Sequence, residues 1–83
     1  MKTIHDAISE FLAVHCETRD EAKRILSLAH GTGRRWTKGS MIEVDNWGEY
    51  KENTCYCIAS CSYGSVDYFT EHNYRIIKST LIL

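Results

Sequence analysis

The residues with the greatest chemical reach in this sequence are its four cysteines. Cys55-x-Cys57-x-x-x-Cys61 lies in one stretch, and His15-Cys16 lies elsewhere. Thiolates and imidazoles bind zinc, but this spacing departs from the usual two-residue knuckle. On a strand, alternation puts Cys55 and Cys57 on one face, where small buried thiols pack well. The reading is therefore no metal and no cofactor. A cysteine nucleophile would need a low-pKa thiol beside a base such as His30 or His72. There is no nucleophile elbow, no H-E-x-x-H and no phosphate loop. Gly31-Thr32-Gly33 is too short for a nucleotide fingerprint, and a helix end explains its glycines. No catalytic residue is assigned, and the chain is read as a non-enzyme.

Two stretches carry binding chemistry instead. Arg34-Arg35-Trp36-Thr37-Lys38 sets cations beside an indole, which suits phosphate contact and base stacking. On a strand, Arg34 and Trp36 share one face, and Arg35 and Thr37 the other. The plainer reading makes Trp36 a core plug with solvated basic neighbours. The second stretch is an acidic loop with Glu43, Asp45, Glu49 and Glu52 around Trp47 and Tyr50. Aromatic residues rimmed by charge can anchor a protein interface, and can equally fold under their own loop. The candidate binding set is Arg34, Arg35, Trp36, Lys38, Trp47 and Tyr50.

These residues need a scaffold, and its main element is a helix over 18–31. Thr18 is an N-cap with Glu21 three residues on, the pattern of a capping box. Asp20 and Glu21 place negative charge at the end the helix dipole favours. Ala22, Ile25, Leu26 and Ala29 form one narrow apolar stripe. Asp20 and Arg24 make a favourable pair on the wet side. Gly31 or Gly33 takes the left-handed end position. Arg19, Lys23 and Arg24 read as a solvated face, with binding as the alternative.

Around that helix, residues 3–16 read as a short helix near 4–9 and a strand near 11–16. The alternative is one helix running to His15, starting from a Thr3/Asp6 capping box. Residues 34–37 read as a short strand stopped by Gly39, and 40–53 as a long polar loop. Thr54 to Ser60 is the clearest strand. Cys55, Cys57 and Ala59 face one way and Tyr56 and Ile58 the other, so both faces should be covered. Cys61 to Tyr63 returns as its hairpin partner. Ser65 caps a short helix over 66–72 that closes at Asn73, and 74–81 forms a last strand. The fold class is α+β: a small mixed or antiparallel sheet, the 18–31 helix on one face and the 66–72 helix as a second.

The chain has 83 residues, 43% of them hydrophobic and 25% charged, which suits one small globular domain over 1–83. A net charge of −1 argues against general nucleic-acid binding. No apolar run is long enough for a membrane span, and no signal-peptide core is visible. The expectation is a cytoplasmic protein with reduced thiols and no membrane partner.

Phe11-x-x-Val14-x-Cys16, Thr18-x-x-Glu21-Ala22, Leu26, Ala29-His30, Gly33, Trp36 and Gly39 together make a longer pattern. It continues through Asn46-Trp47, Thr54-Cys55-Tyr56, Tyr63-Gly64-Ser65, Asp67-Tyr68-Phe69 and Tyr74-x-Ile76-Ile77. This pattern resembles small accessory proteins of tailed phages, of the host-takeover or anti-defence type. It covers residues 11–78, and residues 1–10 depart from it as a possible N-terminal helical addition. The resemblance implies a protein that works by binding: it blocks a host or defence-system protein in the cytoplasm of the infected cell. Two alternatives stand beside that. One is capture of a nucleotide signal by the Arg34–Trp36 region, and the other is a structural or regulatory homo-oligomer.

Overall fold

Leu12–Cys16 (β1) is the strand around which the other elements assemble. Leu12, Ala13, Val14 and Cys16 are all buried. Apolar residues on both faces of the pleat require cover on both sides of the sheet. The computed structural model describes residues 2–36, 39–40 and 47–83, and they build that cover. The class is α+β, with helices around a mixed four-stranded sheet.

Ile4–Ser9 (α1) precedes β1. Its N-terminus is a complete capping box: the Asp6 N–H donates to Thr3 Oγ1 and the Thr3 N–H to Asp6 Oδ2. A short helix followed by a strand is the arrangement found, and the single long helix is excluded.

Arg19–Gly31 (α2) follows β1. Thr18 Oγ1 accepts from the Glu21 N–H at 3.2 Å. The return bond differs from the expected box, because Glu21 Oε1 accepts from the Glu17 N–H instead. Gly33 takes the left-handed position after the helix, at φ 88°. Ala22, Ile25, Leu26 and Ala29 are buried against Leu12, Val14, Cys16, Tyr56 and Ile58, with Ile4 and Ala7 of α1 in the same cluster.

Arg35–Trp36 (β2) pairs with Gly39–Ser40 (β3) in a separate two-stranded ribbon. Gly39 therefore belongs to a returning strand rather than simply ending the first. Lys38 lies outside the described residues, as do Glu43 and Asp45 of the acidic loop. Residues 47–53 of that loop form a helical turn, Trp47–Tyr50 (α3), followed by a 3-10 turn over Lys51–Asn53.

Thr54–Cys57 (β4) pairs antiparallel with both β1 and Ser62–Ser65 (β5). The strand expected over 54–60 is thus shorter: the chain turns at 58–61, where the Cys61 N–H donates to Ile58 O and Cys61 is left-handed. Its two faces separate as expected. Tyr56 and Ile58 join the α2 cluster; Cys55 and Cys57 join Ala13 and Phe69 on the other side.

Val66–Glu71 (α4) covers that second face. Ser65 Oγ accepts from the Tyr68 N–H at 3.1 Å, and Phe69 is the buried anchor. Arg75–Lys78 (β6) then pairs parallel to β1 at the edge opposite β5, so the order is β5-β4-β1-β6. The last strand stops at Lys78, short of the expected span, for a local reason. Ser79–Leu81 tightens into a 3-10 turn, and α2 holds it there.

That hold corrects a second expectation. Arg24 does not serve as a solvated partner for Asp20. Its guanidinium donates to Ser79 O and, at 2.8 Å, to Ile82 O. The Ser79 hydroxyl donates to Glu21 Oε1. Beyond this turn, the Lys2 N–H donates to Leu81 O and the Leu83 N–H to Lys2 O, a parallel bridge between residues near the two ends.

Candidate binding surface

Alternation decides where the basic stretch goes. Trp36 turns inward and is only 8% exposed. Its ring centroid is 6.0 Å from those of both Tyr56 and Tyr63. Arg34 shares its side and donates from Nη1 to Ala59 O at 3.2 Å, tying β2 to the turn after β4. Arg35 points out, with Nη1 donating to His30 Nδ1 at 3.4 Å.

The helical turn of α3 supplies the other half. Tyr50 is 39% exposed and its ring lies 6.3 Å from that of Tyr63. The Tyr63 hydroxyl donates to Glu49 Oε1 at 2.9 Å. That bond favours the neutral phenol, and with some burial it raises Tyr63 above its ordinary value. Trp47 is half-buried, with the Arg19 guanidinium 5.5 Å above its ring, a cation–π distance. The Thr54 hydroxyl donates to Trp47 O and fixes α3 at the start of β4.

Ring contacts thus run from buried Trp36 through Tyr63 to Tyr50 at the surface. Arg35 and Trp47 are not brought together. Arg35 meets His30 near the end of α2, whereas Trp47 meets Arg19 at its start. At the α-helical rise these points are on the order of 16 Å apart along the axis. Tyr63, which links the site, is outside the set that the sequence singles out. The signal that finds it is the hairpin register, since Tyr63 pairs with Tyr56 and shares its face.

The thiols are placed for packing. Cys16 lies in the α2 cluster, and Cys55 and Cys57 lie under α4. All four cysteines are free, and Cys61 alone among them is partly exposed. Burial pushes the Cys16 and Cys55 thiols up to about 12, with the Glu21 charge adding to the effect at Cys16. A nucleophile needs the opposite shift. Among the described residues, no group of three or more His, Cys, Asp and Glu is gathered to hold a metal ion. No described helix is long and apolar enough to cross a membrane.

No protein-family model matches the chain, no curated protein matches it, and no solved structure matches it.

Proposed function

We propose that this is a non-catalytic binding protein that docks on a protein partner through the surface around Tyr50. The observation that carries the reading is Tyr50 itself, a half-exposed ring backed by Tyr63, which is backed in turn by buried Trp36. An aromatic side chain already held in place loses little freedom on binding, and Tyr, Trp and Arg are the residues that dominate interface energetics. Arg19 over the Trp47 ring and Glu49 on Tyr63 bring opposite charges to the same helical turn, which supports steering and register. The identity of the partner as a host or defence-system protein, and the cytoplasmic setting, rest on the resemblance to phage accessory proteins.

Capture of a nucleotide by Trp36 has less support, because Tyr56 and Tyr63 already pack against that ring. A homo-oligomer is the third reading. The β6 edge carries Arg75 and Lys78, and such charges disfavour edge-to-edge pairing.

The test starts with affinity capture of a partner from host lysate by the wild-type protein. The purified partner is then titrated calorimetrically against wild type, Tyr50→Ala and Arg19→Glu. Tyr50→Ala should weaken binding by about tenfold or more while its melting temperature holds. Unchanged affinity in both variants would overturn the assignment of this surface. A stable homo-oligomer by native mass spectrometry, with no captured partner, would favour the third reading.

A further inference from the structure

The parallel register of β1 and β6 sets Leu12 opposite Arg75. Extended by one residue, it sets Phe11 beside Tyr74, and their ring centroids are 5.7 Å apart. Each of these residues follows a helix that departs to a different face of the sheet, α1 to one side and α4 to the other. Divergence of the two helices leaves an open cleft of about 410 Å³ at the sheet end, lined by Glu10, Phe11, His72, Asn73, Tyr74 and Arg75. That volume lies within the range of small-molecule sites.

Three features separate this cleft from ordinary surface. Phe11 is 49% exposed although it carries a full aromatic ring. It is also left-handed, at φ 57°, a conformation that suits Gly or Asn and opposes a bulky side chain. The corresponding residue after α4 is Asn73, at φ 62°, which is a usual choice. The ring of Phe11 is thus kept where a smaller residue would fit the backbone better. Behind it, Tyr74 packs edge-on against buried Phe69 at 4.8 Å, so the platform is anchored in the core.

The charge at the cleft comes from Arg75. Its side chain is 74% exposed, and its contact with Glu10 is long, at 3.9 Å. Lys2 already meets both Glu10 oxygens, at 2.8 and 2.7 Å. The Arg75 guanidinium therefore keeps donors for a second, bidentate acceptor. We infer that this cleft binds a planar aromatic ligand bearing one anionic group, its ring on Phe11 and its phosphate or carboxylate on Arg75. The site is on a different part of the molecule from the Tyr50 surface and does not depend on that assignment.

The test is a titration of backbone amide resonances with adenosine monophosphate and, separately, indole-3-acetate. Adenosine serves as the uncharged control. Saturable shifts at residues 10–11 and 73–75 are expected, with adenosine binding more weakly than its phosphate. The nucleotide source is assigned if the monophosphate binds tighter, the aromatic-acid source if indole-3-acetate does. Phe11→Gly and Arg75→Gln should each weaken binding by about tenfold. Glycine suits the left-handed backbone, so Phe11→Gly keeps the fold while removing the ring. No saturable shifts at these amides up to about 10 mM ligand, too weak to count as recognition, would overturn the proposal. So would variants that bind as well as wild type with unchanged melting temperatures, or adenosine that binds as tightly as its phosphate.

Discussion

The Ser79 hydroxyl donates to the Glu21 carboxylate, joining the first turn of α2 to a turn 58 residues downstream. Arg24, one turn further along α2, takes the Ser79 and Ile82 carbonyls. One helix face therefore packs the sheet, while its flank secures the segment after β6.

This contact makes stability sensitive to acid. The bond from Ser79 is the main reason Glu21 titrates below its ordinary 4.5, and the Glu17 N–H adds to it. A depressed carboxyl contributes stability that is fully present above the unfolded value and is lost as pH falls through the folded one. Urea midpoints should therefore drop as pH falls below about 4.5. Glu21→Gln should flatten that drop. Identical pH profiles for the two proteins would refute a role for Glu21.

The buried thiols make the complementary prediction at high pH. Cys16 and Cys55 rise from 9.0 to about 12 because burial disfavours the thiolate. A raised group contributes stability that is present below its unfolded value and lost as pH rises through the folded one. Stability should thus fall progressively between about 9 and about 12. In native protein, a thiol reagent should modify Cys61 before the three buried cysteines, as read by peptide mass mapping. Rapid native modification of Cys55 would contradict its burial.

Ile25 and Leu26 are 0% and 1% exposed and sit between α2 and the sheet. Truncating either to alanine removes methyl groups and leaves a cavity, costing roughly 2–5 kcal/mol. Denaturant unfolding should show a loss of that size for each variant. Losses under about 1 kcal/mol for both would mean the core collapses to fill the space.

Arg35 is exposed and loosely held, so Arg35→Glu should leave the melting temperature nearly unchanged. If the partner surface extends to the end of α2, the same change should weaken binding to the captured partner. A sharp fall in melting temperature would make Arg35 structural.

How much of this is legible in the sequence depends on whether the signal is local. The start of α2 is written in Thr18 and Glu21, and its buried face in Ala22, Ile25, Leu26 and Ala29. The two faces of β4 follow from alternation alone. Arg24 and Glu21 read as ordinary helix charges because their partners, Ser79 and Ile82, are distant in sequence and brought close only by the fold. The strand ends at Lys78 for the same reason. Trp36 shows the limit for the binding surface. Its neighbours Arg34 and Arg35 give it the composition of an exposed site, but the residues that bury it, Tyr56 and Tyr63, arrive from another hairpin.

The bridge between Lys2 and Ile82 has a mechanical consequence. The two segments run parallel, with bonds from the Lys2 N–H to Leu81 O and from the Leu83 N–H to Lys2 O. Tension applied through residues 2 and 83 pulls these segments in opposite directions along their length. Both bonds are then loaded in shear at once, rather than peeled one after the other. Once they fail, the load passes through α1 to the β1–β6 ladder, which has the same parallel sense and is likewise sheared rather than peeled.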